Sequence, residues 1–287
     1  DDVTPLHQFS AEIPEKPFHL AQPRATYRLP APFGARRGSP GKNYMLSLGA
    51  AVTWTEHKGS ENQTIRKFLD AGENPPEGVI VTYFLKDKPE GEVKLHFRDA
   101  EGSLIKSFSS IPPEDDASEA ALDPRVRAEQ GANRFVWNLR YPIARRVPGD
   151  KATEQMLLGT GPLAPPGKYQ VELEIDGASQ IEEFEVLKDP RVGTSQDDFV
   201  AQFTLFKKIR DKLSETNDAI NDLRNIKVQV DEWVNRSAEH AAGDAVSSEG
   251  KVLREKLSDV EQELLQVNYK GERDRLNFPV RLNRKLG

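Results

Sequence analysis

Between residues 79 and 187, apolar and polar positions alternate in several short stretches, with the two-residue period of β-strands that bury one face. In one of them Val93, Leu95 and Phe97 fall on one side, and the polar residues between them fall on the other. Turn signals separate the stretches, including an Asp-Gly pair at 176–177 of the kind found in two-residue hairpins. The pattern predicts about seven short antiparallel strands that form a β-sandwich.

The apolar period changes to three and four residues after residue 194, which predicts helices. Thr194 or Ser195 can cap a first helix of about 40 residues. A loop of small residues is expected over Ala241–Gly250, and a second helix over Lys251–Val267. Each helix has an apolar stripe, so we expect the two to pair as a long antiparallel hairpin.

In residues 1–75 prolines recur every few positions as far as Pro40, and proline disfavours both helix interiors and central strands. Short extended pieces fit between them, for example over Ala25–Leu29 and Tyr44–Trp54. The segment is also rich in aromatic residues, which argues against the alternative of a disordered linker. We therefore expect an irregular proline-rich arm that packs along other structure. The predicted domains are this arm (1–75), the sandwich (76–192) and the helical hairpin (193–287).

Composition narrows the classes of function. The 287 residues suggest about two domains, and the net charge of −6 gives no electrostatic case for binding nucleic acid. No apolar stretch approaches the roughly 20 residues that cross a bilayer, so no membrane span is expected. The chain lacks cysteine, which excludes disulfides and thiolate metal sites, and its five histidines are scattered. No metal site and no cofactor are predicted.

Few residues suggest catalysis. The carboxylates at 114–116 form the densest acidic cluster, but adjacent acids in a proline-rich loop usually face solvent, whereas a glycosidase needs two carboxylates across a cleft. The same loop offers oxygen ligands for Ca²⁺ without the spacing of a known calcium loop. His57 has serines nearby in the sequence without a nucleophile-elbow motif, and residues 34–38 lack the ending of a phosphate-binding loop. The serines are Ser39, Ser47 and Ser60. No catalytic residue is predicted.

The three tryptophans have different expected roles. Trp137 lies on an inward-facing strand position and is predicted to be core, and Trp233 lies on the stripe of the first helix and is expected to pack there. Trp54 is the only one without an evident core position. Because exposed aromatic side chains mark binding surfaces, Trp54 is the predicted candidate for a ligand or partner surface.

Several motifs, in this order along almost the whole chain, resemble those of a known family. They are DDVTPL (1–6), GENPPEGVIVTY (72–83), GANRFVWNLRYP (131–142), GPLAPPGKYQV (161–171), KDPR (188–191) and RLNFPVRL (275–282). The pattern resembles the C-terminal region of bacterial proteins with sortilin-like, BNR-type β-propeller repeats, which are often labelled glycosyl hydrolases. The strand segment is also similar to the immunoglobulin-like domain of flagellar hook-capping proteins, which implies an immunoglobulin-like antiparallel sandwich.

The resemblance implies a non-catalytic accessory region of a larger secreted or periplasmic protein, which supports the propeller or mediates protein contacts. The aspartate-box signature of the propeller, S-x-D-x-G-x-T-W, does not occur here. The chain begins at Asp1 without methionine, so we expect a processed segment whose signal peptide belonged to a missing part. The implied partner is the propeller of the same parent chain, and residues 1–60 are then expected to expose apolar surface.

Two further hypotheses remain open from the sequence. The chain is part of a glycoside hydrolase that uses two carboxylates, or it is a carbohydrate- or peptide-binding module that uses surface aromatics such as Trp54. The helices can pair equally well between two chains, which would give a homo-oligomer.

Overall fold

Strands come first along the chain and long helices follow, as the sequence predicts. The computed structural model describes residues 3–29, 41–47, 50–70, 72, 76–114, 119–150, 161–271, 274 and 276–286. It divides into two compact units. One unit comprises Asp1–Tyr141 and Leu163–Val200, and the other comprises Pro142–Pro162 and Ala201–Gly287. The predicted division into an arm, a sandwich and a hairpin stays a prediction.

The described strands all lie in the first unit. They are β1 (Phe18–Leu20), β2 (Thr26–Arg28), β3 (Gly41–Ser47), β4 (Ala50–Lys58), β5 (Thr64–Phe68), β6 (Val79–Leu85), β7 (Val93–Asp99), β8 (Leu104–Ser109), β9 (Gly131–Trp137), β10 (Gly167–Ile175) and β11 (Ala178–Lys188). One sheet has the order β1-β6-β9, a second has the order β2-β11-β10-β7-β8, and a third has the order β3-β4-β5. Every described strand pair is antiparallel except β2 with β11.

The first two sheets enclose one hydrophobic core. Strands β6, β7, β9 and β10 bury every second residue, as the alternating pattern predicts, and β6 does so from Val79 to Leu85. The ring of Phe97 on β7 stacks on Trp137 of β9 with centroids 4.6 Å apart, so side chains of the two sheets meet. Trp137 is fully buried, which confirms its predicted role in the core.

Strands β2, β3 and β4 fall on the extended pieces expected near Ala25–Leu29 and Tyr44–Trp54, and strand pairing makes the N-terminal segment more regular than expected. β1 pairs with β6, β2 pairs with β11, and β3, β4 and β5 form a sheet of their own. The reason is the distribution of proline: the segment 41–68 contains none, so its backbone N–H groups are all available for strand pairing. A short helix, α1 (Thr4–His7), and a 3-10 turn (Ile13–Glu15) precede β1.

Two long helices form the predicted antiparallel hairpin. They are α2 (Gln196–Ser237, 42 residues) and α3 (Gly243–Leu264, 22 residues), and a short helix, α4 (Leu282–Leu286), follows. Arg224 of α2 pairs with Glu261 of α3 at 2.7 Å, and Asp231 pairs with Arg254. Residue numbers rise along one helix as they fall along the other, so the helices are antiparallel.

The loop predicted over Ala241–Gly250 is wrong, because α3 already begins at Gly243. The two glycines that suggested a loop permit close packing instead. A Cβ at Gly243 would lie 2.5 Å from the Ser237 carbonyl oxygen, and one at Gly250 would lie 2.7 Å from Val234 Cγ2. Glycine at these positions allows the chain to turn tightly between the helices and then to pack α3 against α2.

Candidate functional site

The distal part of the hairpin carries an open apolar groove, which we call the hairpin groove. Its volume is about 400 Å³, and α2 and α3 both contribute to its walls. The lining residues are Val230, Trp233, Val234, Ala245, Val246, Glu249, Gly250 and Leu253. Glu249 is the only charged residue among them, so the groove is suited to apolar side chains.

Trp233 is the aromatic residue among those that line the groove. Its side chain stands 64% exposed, although it was expected to pack on the helix stripe, and that expectation is wrong. Trp233 lies on a face of α2 that α3 covers only in part. The next residue, Val234, has a side chain that Gly250 of α3 approaches closely. The guanidinium carbon of Arg236 lies 5.5 Å from the centre of the Trp233 ring, on the polar side of the groove.

Paired charges border the groove. Asp231 forms an ion pair with Arg254, and Glu232 forms one with Arg236 at 2.8 Å. All four side chains are about half exposed, so these pairs contribute little to stability. An apolar centre with an exposed tryptophan and a polar border is the usual anatomy of a protein–protein contact. The hairpin groove is therefore the candidate surface for apolar side chains of a partner.

Trp54, the predicted surface residue, lies on β4 and is partly buried. Its ring is tilted against Phe68 with centroids 6.4 Å apart, and its indole N–H donates to Glu56 at 3.4 Å. Glu56 is 9% exposed and also forms an ion pair with Arg66 at 2.7 Å. The role of Trp54 as a ligand or partner surface stays a prediction. Its indole N–H already has a hydrogen-bond partner within the chain.

The other residues considered for chemistry are not assembled into a site that the structure describes. Ser39, residues 34–38 and two of the acids at 114–116, Asp115 and Asp116, lie outside the described residues. His57 is exposed on β4, and Ser60 lies in the turn after that strand, where its carbonyl oxygen accepts from Arg125.

Sequence reasoning missed a serine, a histidine and a glutamate that meet across three strands of the second sheet. Ser107 Oγ lies 2.7 Å from His96 Nδ1, and His96 Nε2 lies 3.1 Å from Glu174. The three residues are far apart in sequence but lie on neighbouring strands, so only the register between β8, β7 and β10 could have revealed them.

This trio resembles a catalytic triad in its hydrogen bonds but not in its setting. A triad needs N–H donors directed at the reacting oxyanion. Backbone N–H groups of a sheet lie in its plane, whereas these side chains project from its face. Arg98 and Glu172 form an ion pair beside the trio at 2.8 Å. We interpret the trio and this ion pair as cross-strand contacts that stabilise the sheet.

Across the described residues, no group of three or more histidines and acids is placed to hold a metal ion. None of the described helices is both long and apolar enough to cross a bilayer. No protein-family model, characterised protein or solved structure matches the chain.

Proposed function

We propose that the chain is a non-catalytic accessory region of a larger, secreted or periplasmic propeller-containing protein, in which it supports the propeller or mediates protein contacts. The hairpin groove is the observation that carries this proposal. The groove and its largely exposed tryptophan leave apolar surface in contact with water. A bound partner would bury this surface, and each Å² buried contributes about 25 cal/mol of binding free energy.

Apolar exposure along the N-terminal segment supports the same proposal. The side chains of Val3, Leu6 and Phe9 are at least half exposed, and Leu6 reaches 71%. α1 buries none of its residues. Tyr27 and Leu29 in and after β2 are also about half exposed. This is the surface that the resemblance to propeller proteins leads us to expect within residues 1–60.

The strand order supports the proposed immunoglobulin-like class of the sandwich. We assign the strand letters of that class, in chain order, to the strands of the first two sheets. The sheet β1-β6-β9 then corresponds to strands A, B and E. β11-β10-β7-β8 corresponds to the G-F-C sheet with its C′ extension. The β3-β4-β5 sheet would then be an insertion before strand B.

A tyrosine near the start of β10 gives a second local similarity. Tyr169 donates its hydroxyl hydrogen to the carbonyl of Pro165 at 2.7 Å, an arrangement that resembles the tyrosine corner of strand F in immunoglobulin-like domains. The chain departs from antibody domains in having no cysteine and in placing Trp137 on β9. In its core Phe97 on β7 stacks on Trp137, where antibody domains have a tryptophan beside a disulfide.

The gene sequence upstream of the Asp1 codon tests the proposed parent protein. The proposal predicts a signal peptide followed by repeats with the S-x-D-x-G-x-T-W signature in the same reading frame. A reading frame without propeller repeats would contradict the proposal.

Variants of that full-length protein test the proposed contact. We expect Trp233→Gln combined with Leu253→Gln to lower the melting temperature of the propeller or to increase its cleavage by a protease. Val228→Gln is the matched control, because Val228 is 57% exposed on the same helix and does not line the groove. An equal effect of both changes would show that the groove is not the contact.

A further inference from the structure

A row of polar side chains on α2 holds a nonhelical segment of the chain. We call residues 142–150 the strap; it belongs to the second unit although it follows β9 in sequence. The row recurs at steps of three and four residues, so it lies on one face of the helix. Its members are Arg210, Ser214, Asn217, Asn221 and Arg224, and we call them the polar row.

The polar row binds the backbone of the strap from one end to the other. Asn217 and Asn221 donate through Nδ2 to the carbonyls of Arg145 and Arg146, at 2.6 and 3.0 Å. The backbone N–H of Arg145 donates to Ser214 Oγ at 3.1 Å.

The two arginines of the row secure the ends of the strap. Arg210 donates to the carbonyl of Pro142 at 3.2 Å, and Arg224 donates to that of Pro148 at 3.0 Å. Glu261 of α3 accepts from Arg224 Nε at 2.7 Å and so holds that guanidinium in place.

Helix and strap match in length. From residue 210 to residue 224 the helix rises about 21 Å, and the six steps from residue 142 to residue 148 can span about 20 Å when extended. Partners advance together along both segments, so the strap runs parallel to α2. The two prolines fix φ near the extended value at the ends of the bound stretch. A helix face thus offers hydrogen-bonding groups at the spacing of an extended chain.

Two side chains of the strap are recognised individually. Arg145 Nε lies 2.7 and 2.8 Å from the two carboxylate oxygens of Asp218, a bidentate arrangement that lysine cannot reproduce. Val147 is 4% exposed and packs with Ile220 and Leu265. The recognised sequence is therefore Pro-x-x-Arg-x-Val-Pro.

The strap leaves one group of the site unfilled. Asn217 is 3% exposed, and its Oδ1 has no hydrogen-bond partner among the described residues. A buried acceptor without a donor is costly, so a peptide that supplies a further N–H would satisfy the site better. Val147 belongs to the apolar cluster of the second unit, and the other contacts described between the strap and α2 are hydrogen bonds and an ion pair.

We propose that the polar row of α2 is a recognition site for extended peptides of the form Pro-x-x-Arg-x-Val-Pro, which the chain fills with its own strap and which a partner protein's segment of that form enters in competition. The strap is tethered, so its effective concentration at the site is on the order of millimolar. A free peptide therefore binds poorly until the strap is displaced, which makes the strap an autoinhibitory ligand.

The test uses the whole chain with the strap disabled. Arg145→Glu with Val147→Asp sets a negative charge against Asp218 and places a charge in the apolar pocket. A fluorescent peptide with the sequence of residues 141–150 is then titrated by fluorescence anisotropy. We expect it to bind this open variant at least about tenfold more tightly than the native chain, because the tethered competitor is gone.

Further variants separate recognition from nonspecific binding. Asn217→Ala with Asn221→Ala in the open variant should weaken peptide binding about tenfold, because two hydrogen bonds are lost. Asn235→Ala, an exposed asparagine of α2 outside the row, should leave binding unchanged. A peptide with glutamate for the arginine and aspartate for the valine should not bind. An open variant that keeps its helical circular dichroism but does not bind the native peptide would overturn the proposal.

Hydrogen exchange on the native chain tests the proposal without any variant. An exchangeable strap opens locally, so the amide of Arg145 should exchange at least about tenfold faster than the amides of α2 between 214 and 224. A common rate for both would mean that the strap is an integral part of the fold, and so would loss of helical signal in the open variant. Either result would overturn the proposal.

Discussion

Tyr169 connects the start of β10 to the turn before it. Its ring is 3% exposed, and burial holds the pKa of its hydroxyl well above the usual value, so the group remains a donor to Pro165. Tyr169→Phe removes the donor and should lower the free energy of unfolding by about 1–2 kcal/mol, measured in urea by tryptophan fluorescence. Tyr27→Phe, an exposed tyrosine on β2, is the control and should change little. Equal losses would refute the role of this hydrogen bond.

His19 on β1 makes the first unit sensitive to acid. Both ring nitrogens are buried and have no hydrogen-bond partner among the described residues. Burial, helped by the charge of Lys16, lowers the pKa of the ring, and the opposing charge of Glu182 does not restore it. Below the usual His pKa of about 6.5 the unfolded chain binds a proton that the folded chain does not, so stability falls as the pH falls.

The variant His19→Asn tests this pH dependence, because asparagine does not titrate. We expect urea unfolding of the native chain to show a loss of stability between pH 7.5 and pH 5 that is smaller in the variant. His240→Asn is a matched control, since His240 is exposed after α2. Identical pH profiles for the native chain and His19→Asn would exclude the contribution of this histidine.

The tryptophans show how far residue-level prediction from sequence reaches. Trp137 and Trp233 both occupy apolar positions of a regular pattern, and the pattern correctly gives the face on which each lies. It does not give the partner that covers that face. Phe97 covers Trp137 from a strand about forty residues earlier, whereas α3 leaves Trp233 64% exposed. The hairpin groove could therefore not be found from periodicity alone.

At the scale of elements, Glu261 joins the two long helices. It is 7% exposed and accepts from Arg224 and Lys227 at 2.7 and 2.6 Å. Burial by itself would raise the pKa of Glu261, but the hydrogen bonds from these two cations outweigh it and lower the pKa. The contacts of Glu261 with Arg224 and Lys227 therefore stabilise the hairpin fully at pH values above the ordinary glutamate pKa. This contribution is lost as the pH falls through the lowered pKa that Glu261 has in the folded chain.

Glu261→Gln should destabilise the second unit by about 3 kcal/mol, because it leaves two partly buried cations without their anion. Thermal unfolding followed by helical circular dichroism measures the change. Glu263→Gln, an exposed change two residues away on α3, should have almost no effect. Comparable losses in both variants would contradict the role assigned to the buried carboxylate.

Strands and helices differed in how well the sequence predicted them. β6, β7 and β10 follow from alternation, since each has one face on the core. For the β3-β4-β5 sheet the sequence indicated only an extended piece over Tyr44–Trp54, because the prolines before residue 41 favour an irregular arm. The start of α3 was missed because Gly243 and Gly250 serve helix packing, which no local signal distinguishes from a loop.

At the scale of the whole molecule, the compact units do not follow the order of the chain. Pro142–Pro162 lies between β9 and β10 in sequence but belongs to the unit of the helical hairpin. The sequence of this stretch has no strand or helix period, and its contacts with the polar row depend on a helix that begins more than forty residues after the strap. Domain boundaries predicted from composition divide the chain into continuous segments, so they could not give a unit made of two separate segments.

The solvent exposure of the hairpin groove can be measured directly in the whole protein. Hydroxyl-radical footprinting with mass spectrometry reports the solvent exposure of individual side chains, and it can compare this chain with the natural full-length gene product. Leu104, 55% exposed on β8, serves as an exposed reference, and the fully buried Trp137 serves as a protected one.

Labelling of Trp233 in those two proteins is the measurement that tests the accessory function most directly. We predict strong labelling of Trp233 in this chain and severalfold weaker labelling in the full-length product, with Leu104 unchanged, because the proposed contact would bury the groove. Equal labelling of Trp233 in both proteins would contradict the claim that the hairpin groove is a contact surface within the parent protein.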